Sequence, residues 1–152
     1  MKAVIQRVRR ASVSVNSQII AEIGPGLLTL LGVAEGDTTD DADWLIKKIV
    51  SLRIFEDSDQ KMNLSLKDIA GEHLIVSQFT LYADATKGNR PSFILAARPD
   101  IAKPLFDYAL KVSSQFGVPT ASGQFQASMQ VLLENDGPVT LVLDSKKTLT
   151  AP

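Results

Sequence analysis

The sequence predicts an α+β fold in a single domain: a mostly antiparallel, barrel-like β-sheet with two flanking helices. Three observations carry this expectation. Short runs rich in Val, Ile, Leu and Thr recur along the chain, several with the period-two alternation of half-buried strands. Only two segments change to the helical period, one after residue 38 and one over about 101–116. Those helices are inserted among many strands and do not alternate with them, so the order does not read as βαβ.

Residues 2–9, 11–15 and 18–23 read as strands, with Asn16-Ser17 placed as a hairpin turn between the last two. GPG at 24–26 breaks the chain, and LLTLLGVA resumes as a buried strand. Thr38 or Thr39 can cap the first helix. Asp40, Asp41 and Asp43 favour its N-terminal end, Trp44, Leu45, Ile49 and Leu52 form its apolar face, and it ends near Arg53. EDSDQK at 56–61 is a turn and MNLSL a short strand, and residues 73–82 form an apolar strand. From Tyr82 to Pro99 the chain is loop-like, although SFILAA is apolar enough to cross part of the core. The second helix tolerates Pro104 in its first turn and stops at Gly117, with Leu105, Tyr108, Ala109, Val112 and Phe116 facing the core. Two closing strands, SMQVLLE and PVTLVLD, are joined by Asn135-Asp136-Gly137. Residues 1–145 form the domain, and 146–152 a polar C-terminal tail that is expected to be mobile.

Composition excludes much chemistry. A chain of 152 residues, 45% hydrophobic, suits one domain able to bury roughly 70% of its unfolded surface. No run approaches a membrane span, and MKAVIQRVRR turns polar too soon for a signal peptide, which implies a cytoplasmic protein without a membrane partner. There is no cysteine and only one histidine, His73, so thiolate nucleophiles, Cys-based zinc sites and two-His metal motifs are ruled out. The expectation is no metal and no cofactor, since neither GxxxxGK[ST] nor a strand-linked GxGxxG is present. The net charge of −1 gives no general affinity for nucleic acid. Two basic regions nevertheless stand out: Lys2, Arg7, Arg9 and Arg10, and then Lys87, Arg90, Arg98 and Lys103.

The stretch VSQFTL at 76–81 places polar groups on both faces of a strand that otherwise looks made for the core. A Ser77 nucleophile with His73 as base fails on geometry, because four residues along a strand span about 13 Å. His73 reads as a packing or strand-edge histidine. The carboxylate pairs Asp57/Asp59 and Glu134/Asp136 lie in predicted turns, where Asp serves local hydrogen bonding. What remains is a site of backbone N–H groups and small polar side chains, which can stabilise an oxyanion without a charged signature in sequence. At this point structural hydrogen bonding to neighbouring strands is the better explanation of Ser77, Gln78 and Thr80.

A second motif separates these readings. VSQFTL together with NDGPVT at 135–140, with AVIQRV near the start, KMNLSL at 61–66 and RPSF at 90–93, resembles the D-aminoacyl-tRNA deacylase (D-tyrosyl-tRNA deacylase) family over residues 1 to about 145. The resemblance implies a barrel-like homodimer with its site at the subunit interface. Its substrate would be the acceptor end of aminoacyl-tRNA. The activity would be hydrolysis of the ester of D-aminoacyl-tRNA, and of glycine mischarged on tRNA, as translation quality control. Carried over by position, Ser77, Gln78, Phe79 and Thr80 are the catalytic residues, with Phe79 an apolar wall for adenine. Gly137 and Pro138 of the partner subunit, joined by a cis bond, would admit the α-amino group and exclude an L side chain, with Arg7 bracing the loop. The resemblance also implies assistance from the tRNA 2′-hydroxyl; Thr80, considered a nucleophile in this family, has no activating base and ranks as a site-lining residue. The competing readings are a noncatalytic RNA-binding barrel, which the 6% aromatic content supports poorly, and a dimeric scaffold.

Overall fold

The computed structural model describes residues 1–148. Its spine is β1 (Lys2–Val15), one continuous strand where sequence suggested two. One edge of β1 pairs antiparallel with β3 (Gly26–Gly32) and then with β2 (Gln18–Ile23), while its other edge pairs antiparallel with β8 (Gln130–Asp144). Asn16 and Ser17 both take positive φ, 50° and 62°, as the tight turn between β1 and β2 requires. β3 pairs parallel with β6 (Glu72–Ser77), and β6 with β7 (Thr120–Ser122). The sheet is thus mixed, although antiparallel pairings dominate. Its parallel pairs arise where the helices are inserted, because parallel neighbours need a long crossover. A separate ribbon joins β4 (Phe55–Glu56) to β5 (Met62–Leu64). β2 also approaches β6 and β7, curling the sheet nearly closed.

The run LLTLLG serves a strand covered on both faces. Leu27 and Leu31 join Ile5, Leu45, Ile46, Ile49 and Phe106 between sheet and helices, whereas Leu28 packs with Val8, Val13, Leu74 and Val76 inside the curl. α1 (Thr39–Val50) starts from Thr38, whose N–H and hydroxyl both donate to the Asp41 carboxylate, at 2.9 and 3.2 Å. Burial alone would raise the Asp41 pKa, but hydrogen bonds from Lys146, Ser145 and Thr38 hold it far below the usual carboxylate range. α2 (Pro99–Gln115) ends at Gly117, whose φ of +77° is the left-handed stop expected there.

Several expectations fail for identifiable reasons. The strand at 73–82 ends at Ser77, and Phe79–Tyr82 form a 3₁₀ turn, because the last backbone bond to β3 is Gln78 N–H to Leu31 O at 2.8 Å. The polar residues of VSQFTL therefore mark where the chain leaves the sheet. Asn135-Asp136-Gly137 does not join two strands; β8 runs through it, since both halves pair with β1. SFILAA does not cross the core: Phe93, Ile94 and Leu95 are exposed. α2 begins at Pro99, with φ preset for the first helical position, which moves Pro104 beyond the first turn; Leu105 packs partly buried against the core as expected, and Phe106 beside it, absent from the expected face, is the more deeply buried. The expected tail is partly ordered: Ser145–Thr148 form a short helix, α3, and Lys146 Nζ reaches Asp41 at 2.8 Å. The remainder of that tail, 149–152, lies outside the described residues.

His73 is a packing histidine at the junction of four elements. Its Nε2 lies 2.8 Å from Thr29 Oγ1 on β3, and its Nδ1 lies 2.9 Å from Ser113 Oγ on α2, itself 2.9 Å from Thr120 Oγ1 on β7. Burial pushes its pKa down from 6.5 to about 3. Between those values the unfolded chain binds a proton that the native state does not, so stability falls as pH falls through that window. The slope approaches about 1.4 kcal/mol per pH unit for one proton. Urea unfolding at pH 7, 6 and 5 should show this loss, and His73→Gln should be less stable at pH 7 yet visibly flatter in slope. An equal slope in both proteins would remove His73 as the cause.

Candidate active site

Where β6 leaves the sheet, it borders a cavity of about 630 Å³. Ser77, Gln78 and Phe79 line one side, with Phe93, Phe106 and Met129 among the other walls. Phe79 is 58% exposed at the mouth, and its ring meets the Phe93 ring edge to face with centroids 5.2 Å apart. Thr80 is exposed and outside the lining, and its hydroxyl accepts a hydrogen bond from Gln78 Nε2. The N–H groups of Phe79 and Thr80 open the 3₁₀ turn, and neither has a protein acceptor among the described residues. The site thus offers a largely apolar hollow with free backbone donors near its rim.

The other predicted residues form a second cluster that does not line this cavity. Between the pairs Gln6–Thr140 and Val8–Asn135, β1 contributes one residue and β8 contributes four, so three surplus residues bulge outward. This bulge carries Asp136, Gly137 and Pro138. Asn135 closes its base: the side-chain Nδ2 donates to Arg7 O and Val139 O, both at 3.0 Å, serving two carbonyls that the interrupted ladder leaves without partners. Arg7 is 5% exposed, and its side chain donates from Nη1 to Ile54 O at 2.6 Å and from Nε to Asp136 O at 3.2 Å. The Gly137–Pro138 bond is cis, Gly137 has φ +115°, and both residues are exposed. Within one chain, then, the predicted residues fall into two places: Ser77, Gln78, Phe79 and Thr80 by the cavity, and Arg7, Gly137 and Pro138 on the bulge.

The motifs in sequence assign Phe93 and Asn135 no part in the site. Their roles are geometric: one places a ring against Phe79, the other ties off a bulge that alternation alone does not reveal. Among the described residues, no group of three or more His, Asp or Glu side chains is placed to hold a metal ion.

The family model described as D-Tyr-tRNA(Tyr) deacylase matches residues 4–144. The chain belongs to that family. Membership makes it an enzyme, a D-aminoacyl-tRNA deacylase of the hydrolase class. Among curated relatives of that name, one from Dehalococcoides mccartyi is 56% identical, covering 98% of this chain and 97% of its own. Another, from Thermosipho melanesiensis, is 55% identical with 97% and 99% covered. Solved structures agree with the deacylase fold. One described as a c-Myc DNA unwinding element binding protein superposes with a TM-score of 0.90 at 42% identity, covering 95% of this chain and 98% of that one. A probable eukaryotic D-amino acid tRNA deacylase shares the fold with a TM-score of 0.76 at 17% identity, over 93% and 97% of the two chains.

Proposed function

We propose that the 630 Å³ cavity receives the aminoacylated 3′ end of tRNA, and that the ester of a D-amino acid or glycine is hydrolysed at its rim. The observation that carries this reading is the pair of unpartnered N–H groups, from Phe79 and Thr80, beside a cavity in a chain of this family. Water adds to the ester carbonyl, and the oxyanion that forms is held by these backbone donors. Collapse of the intermediate breaks the bond to the ribose oxygen, which leaves with a proton as the tRNA hydroxyl. Donors fixed in this way can each contribute about 3 to 4 kcal/mol to such a step. The vicinal 2′-hydroxyl of the substrate orients the water, since the site has no side-chain base: His73 is buried away and Thr80 is unactivated. Ser77 and Gln78 hold the turn and floor, while Phe79 offers its face to adenine.

Chirality is assigned to the bulge of a second subunit. Gly137 and Pro138 do not line the cavity of their own chain, which supports their acting on a partner's site. Arg7 and Asn135 hold that bulge as a rigid unit. Its carbonyls would accept the substrate's α-amino group while leaving no volume for an L side chain, so glycine passes for want of a side chain to exclude. A homodimer is further supported by the apolar residues Leu132 and Val142, each about 70% exposed on β8. Among the described residues, no helix is long and apolar enough to cross a membrane. Residues 1–145 act as one catalytic domain in this reading, and we place its proofreading in the cytoplasm.

Hydrolysis of matched D- and L-tyrosyl-tRNA, with EDTA present, tests the proposal. Cleavage of the D-ester with the L-ester spared is expected. Comparable cleavage of both would overturn the chiral filter, sensitivity to EDTA would overturn metal-independence, and cleavage of neither would overturn the catalytic assignment.

A further inference from the structure

Of the eight cations in the two basic regions, six have partners in the structure. Lys2 Nζ lies 4.6 Å from the Tyr82 ring centroid, and Arg7 is buried against the bulge. Arg9 reaches Asp136 and Arg10 reaches Glu134, both at 3.1 Å. Arg98 pairs with Asp100 at 3.4 Å and Lys103 with Asp107 at 2.6 Å. Only Lys87 and Arg90, both exposed, make no ion pair or hydrogen bond among the described residues.

These two sit together on a built feature. Asp84 and Ser92 exchange both backbone hydrogen bonds at 2.8 Å, closing a hairpin whose tip holds Lys87-Gly88-Asn89-Arg90. Gly88, at φ +75°, makes the turn. The hairpin's one acid, Asp84, is at its base and accepts hydrogen bonds from the Thr86 N–H and hydroxyl at 2.9 and 2.7 Å, which leaves the tip positive. The strand returning from the tip leads into Phe93, whose ring meets Phe79 at the cavity mouth. Three residues span at most about 11 Å, so Arg90 stands close to that mouth.

We propose that Lys87 and Arg90 form a phosphate-binding subsite for the single-stranded acceptor end of tRNA, holding the nucleotides that precede the terminal adenosine. The proposal rests on the reading of the cavity above and adds the part of the substrate that a cavity alone would not engage. Phosphodiesters are the chemistry that two unpaired cations beside an aromatic rim fit, because each contact releases counterions and adds a salt-dependent increment of affinity.

The test compares D-tyrosyl-tRNA with D-tyrosyl-adenosine, the same ester without phosphates, using wild-type protein and the Lys87→Ala/Arg90→Ala double variant. Two phosphate contacts on a single strand steepen the log–log salt slope by roughly 1.4, so kcat/KM for the tRNA ester should fall about sevenfold more in wild type than in the variant between 50 and 200 mM salt. The adenosine ester should distinguish neither the two proteins nor the two salt concentrations. Equal losses on both esters, or an unchanged salt slope, would overturn the subsite. Binding of uncharged tRNA, titrated in parallel, separates this failure from failure of the catalytic reading. If wild type cleaves neither ester, an affinity and salt slope that the double variant leaves untouched still overturn the subsite, and a shallower slope in the variant still supports it.

Discussion

Gly137→Ala should lower kcat/KM for D-aminoacyl-tRNA by about 100-fold or more, the loss expected when a positioning element moves by roughly 1 Å. Two independent effects act on this residue. Its φ of +115° is a conformation that side chains rarely adopt, which costs on the order of 1–3 kcal/mol. An added Cβ would also lie 2.7 Å from Arg7 Nη2 and 3.0 Å from Val139 Cγ2. Arginine is normally flexible enough to move aside, but this guanidinium is pinned by the carbonyls of Ile54 and Asp136. The bulge must therefore shift, and with it the carbonyls assigned to the α-amino group. Gly36→Ala provides the control, having a similar φ of +80° and nothing within 4 Å of an added Cβ. It should lose about 1 kcal/mol of stability and keep its turnover. If Gly137→Ala retains wild-type kcat/KM and D/L discrimination while unfolding no more readily than Gly36→Ala, the bulge plays no part in the reaction.

The elements that could be read from sequence are those whose pattern is local. The Asn16-Ser17 turn, the Thr38 cap, the Gly117 stop and the doubly buried strand at 26–32 each follow from a few adjacent residues. What could not be read depends on partners distant in sequence. Alternation continues through Phe79 and Leu81, and only the end of pairing with β3 at Leu31 shows that the strand has already ended. NDG is a common hairpin turn, and here it becomes a bulge because Asn135 pairs with Val8 and bonds the Arg7 carbonyl while both strands continue on either side. Phe93, Ile94 and Leu95 are apolar yet exposed, with Phe93 lining the cavity, so their apolarity does not serve the core. The candidate site was legible as two motifs because motifs are short, whereas their separation in space within one chain was not. Composition gave no means of telling Arg7 from Arg9: one is buried beneath the bulge and the other is 70% exposed on the next outward position of the same strand.

The largest effect on folding should come from Gly26→Ala, in the GPG break that sequence marks only as an interruption. Gly26 opens β3 and pairs with Glu72, the first residue of β6. A Cβ at this position would stand 1.9 Å from Glu72 O and 2.8 Å from both its carbonyl carbon and its nitrogen. No rotamer relieves an overlap with backbone, so the two parallel strands must separate at their starting pair. Separation breaks the Glu72 N–H bond to Pro25 O at 3.1 Å and the Gly24 N–H bond to Glu72 Oε2 at 2.6 Å, and it loosens Leu27, Leu28 and Leu74 at the centre of both cores. A loss of about 4 kcal/mol or more is expected, large against a typical total of 5–15 kcal/mol. For a domain of this size that corresponds to a fall in Tm of roughly 10 °C or more. Gly24→Ala meets only a carboxylate oxygen of Glu72, at 3.3 Å, and should lose far less. Thermal unfolding of the two variants side by side decides the matter: similar, small shifts would mean that β6 does not begin against Gly26. The consequence reaches the site as well, because β6 runs in register from Glu72 to Ser77. A displacement that the fold survives should still move the turn at Phe79, and activity should fall faster than stability.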